Sequence, residues 1–154
     1  MDLNSCKEIM YEGDYRCVVA DEQGVLFVSK GKGMDPMLEL VDEIRKNNWH
    51  PRYQADRILG KAAVLVASEC GMMEMYGDVV SQSAFDLSVR RNIRVEYGSL
   101  VPRILNRTQT DEGPFEKALH NVDETDFEAV LSTIRTVADN MRSQRTSGDK
   151  DPTI

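Results

Sequence analysis

Two lysines alternate with two glycines in the segment Ser29-Lys30-Gly31-Lys32-Gly33, which lies between a predicted strand and a predicted helix. Glycine permits backbone angles at which successive N–H groups converge on one anion, and the lysines and the following helix dipole add positive potential. The spacing does not match the GxxxxGK[ST] pattern of a phosphate-binding loop. These five residues therefore predict a less specific anion-binding loop, and a flexible turn with two solvated lysines is the alternative.

Asp56 and Lys61 are the candidate catalytic residues, and both fall in a stretch that we predict as one buried helix over residues 55–70. The step between them turns about 140° around a helix, so the two side chains do not pair directly. Asp56 could act as a general base if burial raises its pKa, and Lys61 begins an apolar run, where a lysine needs a partner. The alternatives are that Asp56 only complements the helix dipole and that Lys61 extends to solvent.

A run of polar residues over 106–112 is typical of a binding loop in a compact domain. Asn106, Arg107 and Asp111 are its candidate ligand-binding residues, and the helix that begins after Gly113 could add main-chain N–H groups. The alternative is a solvated loop without a ligand.

The three cysteines and two histidines do not form a recognisable chemical group along the chain. Cys6, Cys17 and Cys70 make no CxxC pair, and His50 and His120 lie far apart. Isolated cysteines are most often small core residues. We therefore predict no metal site and no cofactor.

The composition predicts an ordinary globular protein: 154 residues, 41% hydrophobic and 29% charged. We expect one domain over residues 1–141 and a disordered tail over 142–154. The net charge of −7 disfavours nucleic acid as a partner. The sequence contains no membrane-length apolar run, and its first residues lack the pattern of a secretory leader, so we expect a cytoplasmic protein.

Hydrophobic periodicity and turn residues predict alternating helices and strands, which is typical of an α/β fold. The first two strands are close enough to form an antiparallel hairpin, and right-handed crossovers would make the later strands parallel. Residues 82–91 favour a helix but also alternate as a strand would. The predicted strands are 16–21, 25–29, 73–81 and 93–97, the predicted helices are 3–11, 36–46, 55–70, 82–91, 114–121 and about 123–141, and a helical turn is expected over 101–105.

Five segments of the chain together resemble the family called domain of unknown function 1893, whose members look like compact relatives of the cytidine-deaminase superfold. The segments are SKGKGMDP (29–36), ADRILGKAAVLVA (55–67), EMYGDVVSQSA (74–84), RVEYGSLVPRILNRTQTD (94–111) and GPFEKAL (113–119). The resemblance implies a three-layer α/β/α sandwich around a mixed sheet, with the 55–70 helix packed on it.

The chain departs from the zinc deaminases at the residues that their chemistry needs. Those enzymes use His-x-Glu and Pro-Cys-x-x-Cys at two helix starts to hold Zn²⁺ and move a proton. The resemblance places Gln54-Ala55-Asp56 and Ser81-Gln82-Ser83-Ala84 at these points, which excludes a zinc-dependent deaminase. Members of the resembled family commonly carry a cysteine where this chain has Gly113.

Three functions follow as hypotheses. The preferred one is a protein that binds a nucleotide-like or phosphorylated small molecule, with residues 29–33 around the anion, Asp56 and Lys61 as polar contacts, and Asn106, Arg107 and Asp111 closing the pocket. The second is a zinc-independent enzyme that uses Asp56 and Lys61. The third is a non-catalytic regulatory module that forms a homo-oligomer.

Overall fold

The computed structural model describes residues 1–104 and 113–146. The elements within these ranges follow an α/β order. They are α1 (Leu3–Glu12), β1 (Cys17–Ala20), β2 (Val25–Ser29), α2 (Asp35–Asn47), β3 (Tyr53–Leu59), α3 (Lys61–Glu69), β4 (Glu74–Ser81), α4 (Gln82–Arg90), β5 (Arg94–Val101), α5 (Pro114–Ala118), a 3₁₀ turn (Leu119–Asn121) and α6 (Phe127–Thr146).

The five strands form one mixed sheet in the order β2-β1-β3-β4-β5. β1 pairs antiparallel with β2 and with β3, whereas β3, β4 and β5 are mutually parallel. The predicted α/β class, hairpin and later parallel strands are thereby confirmed. The carboxyl ends of the parallel strands β3 and β4 lie side by side at one end of the sheet, where α3 and α4 begin.

The helices divide between the two faces of the sheet. Among the described elements, α1 is the helix that packs on one face, where Cys6 and Met10 join Val18, Ala55 and Tyr76 in a small buried cluster. The larger core lies on the other face, where α2, α3 and α4 cover the sheet and α6 packs on α2, α3 and α5. α3 is buried from Ala62 through Ala67, so the apolar run predicted to be central is central.

The predicted 55–70 helix is wrong in its first part. Residues Tyr53–Leu59 form β3, the middle strand of the sheet, and the helix begins only at Lys61. Ala55, for example, lies between Val18 of β1 and Tyr76 of β4. Arginine, leucine and alanine favour helices, but pairing on both sides overrides that local preference. Gly60 has an extended conformation and separates the two elements.

Two element ends and one expected helical turn also differ from the sequence-based expectation. β5 continues to Val101, and residues 102–104 are not helical, so the expected helical turn at 101–105 is wrong over the part that is described. The last helix continues past Met141 to Thr146, into the predicted tail. The rest of that tail, 147–154, lies outside the described residues. Residues 82–90 are helical, which settles the helix-or-strand alternative in that segment.

No helix within residues 1–104 and 113–146 is both long enough and apolar enough to cross a membrane.

Candidate functional site

A small cavity lies where β3 ends and where α2, α3 and α5 begin. Its walls are mostly apolar, and Asp56 and Glu116 are the ionisable residues among those that line it. The enclosed volume is about 20 Å³, which is enough for a water molecule or for one small polar group of a larger molecule. The remaining lining residues are Gly33, Met34, Pro36, Met37, Ile58, Gly60, Ala62, Ala63, Ile104, Gly113 and Phe115.

Asp56 is held by groups on its own strand and on the neighbouring one. The amide Nε2 of Gln54 donates to Asp56 Oδ2 over 2.9 Å, and Cys17 stands opposite Asp56 in the β1–β3 register. Burial raises the pKa of the Asp56 carboxyl to about 7, even though hydrogen bonds from Gln54, the Arg57 main chain and the Cys17 thiol act to lower that pKa. Asp56 can therefore exchange a proton near neutral pH.

Cys17 and Gln54 complete the buried polar cluster beside Asp56. Both residues are fully buried, and burial raises the pKa of the Cys17 thiol, so this cysteine stays protonated. The Gln54 Oε1 atom has no hydrogen-bond partner among the described residues. A half-turn of the amide would place this oxygen next to Asp56, where a protonated carboxyl donates to it.

Glu116 occupies the beginning of α3. Its Oε1 accepts a hydrogen bond of 2.6 Å from the main-chain N–H of Lys61, where the positive end of the helix dipole favours a carboxylate. A Cβ atom at Gly60 would lie only 2.6 Å from the same oxygen. The approach of Glu116 therefore depends on glycine at position 60.

Of the predicted anion-binding loop, Gly33 alone lines the cavity. Gly33 has a φ of +59°, a conformation that favours glycine. The Ser29 Oγ accepts from the Gly31 N–H over 3.0 Å, and the Lys30 Nζ lies 5.6 Å from the Tyr15 ring centroid, towards α1. Lys32 is exposed. The structure thus does not bring the two lysines to the cavity wall.

Asp56 and Lys61 lie on different elements and do not share a cavity, contrary to the expectation that one helix carries both. Asp56 belongs to β3, and Lys61 is the first residue of α3. The Lys61 Nζ forms an ion pair with Glu124, in a neighbouring groove of about 230 Å³ that also contains His120 and Ser83 and that shares Glu116 with the cavity. Lys61 is half-buried with a partner, as expected of a lysine beside an apolar run.

Asn106, Arg107 and Asp111 lie outside the described residues. The residues that flank them do reach the cavity, because Ile104 and Gly113 both line it and the Gly113 N–H donates to the Ile104 carbonyl over 3.0 Å. The described residues on either side of the predicted binding loop therefore meet at the cavity wall.

The sequence-based prediction did not include Cys17, Gln54 or Glu116 among the site residues. Gln54 and Asp56 alternate along a strand and so share a face, a signal that the helical interpretation of the segment concealed. The position of Cys17 opposite Asp56 follows only from the pairing of β1 with β3. Glu116 lies in the first turn of α5, where acidic residues are common for local reasons.

The cavity has the chemistry of a hydrogen-bond acceptor site. Two carboxyl groups line it, and neither lysine nor arginine is among its lining residues. Among residues 1–104 and 113–146, no three His, Cys, Asp or Glu side chains are grouped so that they could hold a metal ion. The cavity therefore favours a ligand group that carries N–H or O–H donors.

Comparison with known proteins identifies a family but not an activity. The profile of the family described as domain of unknown function DUF1893 matches residues 5–138. No curated protein matches the chain. The crystal structure of a DUF1893 family protein from Thermotoga maritima is similar with a TM-score of 0.71 and 22% sequence identity, over 90% of this chain and 88% of that one. At this identity the likeness shows the fold alone, and the profile match establishes that the chain belongs to the DUF1893 family.

Proposed function

We propose that this chain is a small-molecule-binding protein and that Asp56 receives a polar group of the ligand. The observation that carries the proposal is a carboxyl group with a pKa of about 7 in the wall of an apolar cavity. Ligand sites of α/β proteins commonly lie beyond the carboxyl ends of strands, and this cavity lies at the end of β3. A desolvated carboxyl is costly unless a partner compensates for its burial.

The ligand is a nucleotide-like molecule that presents N–H donors to Asp56. An amino, amide or amidine group, as found on nucleobases, is complementary to a carboxylate and fits a cavity that admits one small group. A phosphorylated part of the ligand would remain outside this cavity, because its walls are mostly apolar and the Glu116 carboxylate repels phosphate. Lys32 precedes Gly33 in the chain and is exposed outside this cavity, so it is the candidate for contact with such a part.

A second candidate function is acid–base catalysis without zinc, with Asp56 as the group that moves the proton. General bases work best when their pKa is close to the working pH, and the pKa of Asp56 is about 7. Gly113, where the resembled family commonly has cysteine, lines the same cavity. The Asp56 carboxylate would be the base in this chain, and Lys61 would take no part because it lies in the other groove.

We also infer the three-layer α/β/α arrangement of the cytidine-deaminase superfold, in a cytoplasmic protein. The support is that α1 covers one face of the sheet while α2, α3 and α4 lie on the other, with α6 packed on α2 and α3. The positions compared with His-x-Glu lie within β3 instead of at a helix start, and Gln54, Ala55 and Asp56 supply no zinc ligand set of that kind. Three free cysteines suit a reducing compartment.

A thermal-shift panel of nucleosides, nucleotides and sugar phosphates tests the binding proposal. A ligand at about 100 times its Kd stabilises a protein by about 2.7 kcal/mol, which shifts the Tm by several degrees. We expect a nucleoside or nucleotide to raise the Tm of the wild type and of Asp86→Asn, an exposed control with the same charge change, but not that of Asp56→Asn. Equal shifts in all three proteins, or no shift with any compound, would contradict the proposal.

A further inference from the structure

The outer edge of β2 forms an acidic, partly apolar groove together with α2. Its volume is about 510 Å³. Leu26, Phe27 and Val28 of β2 and the indole of Trp49 supply the apolar part. Three carboxylates of α2 line the opposite side, namely Glu39, Asp42 and Glu43. This groove lies on a different part of the molecule from the Asp56 cavity and shares no lining residue with it.

β2 lacks the features that normally keep a sheet edge from pairing. Its sequence VLFVS contains no charged residue and no proline, and Val25 and Val28 are 42% and 38% exposed. The opposite edge of the sheet, β5, carries the charged Arg94 and Glu96 and includes Gly98. Within the described part of the chain, β2 pairs with β1 on its inner side and with no strand on its outer side.

The charges beside this edge select the kind of strand that can pair with it. Glu39 forms no ion pair among the described residues, and the Glu43 carboxylate accepts a hydrogen bond from the Asn47 amide. Asp42 forms an ion pair with Arg135 over 3.1 Å in which both side chains are largely exposed, so this carboxylate stays accessible. An incoming strand with basic side chains would be attracted here, and an acidic strand would be repelled.

The side chains of β2 point alternately to the two faces of the sheet, and this alternation predicts which side chains of an added strand would face each side. Phe27 is paired with Val19, which belongs to the core on the α2 side, whereas Val28 is paired with Val18, which faces α1. Alternate side chains of an added strand would therefore point towards the acidic wall of α2 and towards the exposed surface of Val28. Basic residues suit the positions of the added strand that face the acidic wall of α2, and apolar residues suit the positions that face the surface of Val28.

We propose that the β2 edge binds an extended peptide segment of a partner protein in which lysine or arginine alternates with apolar residues. The segment adds a sixth strand to the sheet, its main chain pairs with β2, and its basic side chains contact Glu39, Asp42 and Glu43. Trp49 packs against it at one end of the groove. Addition of a strand to a sheet edge is a common mode of peptide recognition.

Trp49 is the only tryptophan of the chain, so its fluorescence reports directly on this groove. The probe is the acetylated and amidated peptide Lys-Val-Lys-Thr-Lys-Val, titrated into the full chain. We expect a saturable change in Trp49 emission with a Kd below about 1 mM. The Glu39→Lys exchange should raise the Kd at least about tenfold, whereas Glu8→Lys on the exposed face of α1, with the same charge change, should leave it unchanged.

Two further peptides separate strand pairing from simple charge attraction. A version with N-methyl groups on alternate main-chain nitrogens cannot pair with an edge, and a version with glutamate in place of lysine has the opposite charge; neither should bind. Equal affinity of the N-methylated peptide, equal weakening by Glu8→Lys, or no fluorescence change at all would overturn the proposal. A change of Trp49 emission on simple dilution would show that a second copy covers the edge, which would also overturn it. Circular dichroism verifies that Glu39→Lys is folded, and Glu39→Gln provides a milder variant if it is not.

Discussion

At the scale of single residues, the protonation of Asp56 links folding to pH. The folded chain keeps the proton on this carboxyl up to about pH 7, whereas an unfolded aspartate loses it near pH 4. The folded state therefore binds more protons than the unfolded state between these values. The stability that protonated Asp56 contributes is fully present below about pH 4 and is lost as the pH rises through about 7.

Asp56→Asn should remove this pH dependence, because an amide of similar shape does not ionise. We expect the variant to exceed the wild type in free energy of unfolding at pH 8 by up to about 4 kcal/mol, and to match it near pH 4. Urea denaturation across this pH range measures the difference. The Asp86→Asn control should follow the wild-type profile, and an Asp56→Asn profile parallel to the wild type would contradict the prediction.

Gly60→Ala should displace the Glu116 carboxylate from the beginning of α3. The added methyl group would meet Glu116 Oε1 at 2.6 Å, and loss of that hydrogen bond should cost about 1–2 kcal/mol of unfolding free energy. Gly24→Ala is the matched control, since a Cβ there meets nothing within 4 Å. The effect of Gly60→Ala should shrink in a Glu116→Ala background; full additivity would show that the two positions are not coupled.

At the scale of elements, a polar cluster attaches α1 to the sheet. Asp78 of β4 accepts hydrogen bonds from the hydroxyl of Tyr11 and, over 3.0 Å, from that of Tyr76, and it forms an ion pair of 3.4 Å with Arg57. The Arg57 Nε also donates to the Tyr15 carbonyl over 3.0 Å. One carboxylate is thus the shared partner of groups from α1, β3 and β4.

Asp78→Ala should therefore destabilise the protein more than an ordinary surface exchange does. Loss of the shared acceptor leaves two hydroxyl groups and a guanidinium without it, and we expect a cost of about 2–3 kcal/mol by urea denaturation. Glu96→Ala, which breaks an exposed pair between Glu96 and Arg94 within β5, should cost less than about 1 kcal/mol. Similar effects of the two exchanges would show that the cluster adds nothing beyond a surface ion pair.

Some helices and strands can be predicted from the local sequence alone, and others cannot. The β1–β2 hairpin, α2, β4 and α4 follow from turn residues and hydrophobic spacing close at hand. β3 does not, because residues 55–59 are ordinary helix formers that run into the genuine helix α3, and only pairing with β1 and β4 makes them a strand. Asp56 could be singled out from the sequence as an acid whose pKa would rise on burial, but its contact with Cys17 depends on that strand pairing.

At the scale of the whole molecule, β1 and β3 contribute to both hydrophobic clusters. Val18 and Ala55 face the α1 cluster, and Cys17 and Leu59 belong to the larger core on the opposite face. Because the same strands carry both clusters, a defect in one should reach the other. The chain should therefore unfold as a single cooperative unit.

Met10→Ala tests this coupling from the α1 side. Met10 is fully buried, and its truncation should cost about 2–5 kcal/mol. The transitions followed by far-ultraviolet circular dichroism and by Trp49 fluorescence should shift together, although Trp49 is remote from α1. The exposed Met73→Ala should change little. An early dichroism change with an unshifted Trp49 transition would show that α1 unfolds separately.

The three cysteines differ in burial and lie at different places in the fold, so the alkylation rate of each thiol reports how often its surroundings open to solvent. Cys6 of α1 belongs to the cluster on one face of the sheet and Cys17 of β1 to the larger core on the other, and both are fully buried, whereas Cys70 at the end of α3 is only half-buried. A thiol-alkylating reagent applied to the native protein should therefore modify Cys70 first. The slower alkylation rates at Cys6 and Cys17, followed by mass spectrometry, then measure how often each face of the sheet opens to water, and a single cooperative unit predicts that the two faces open together.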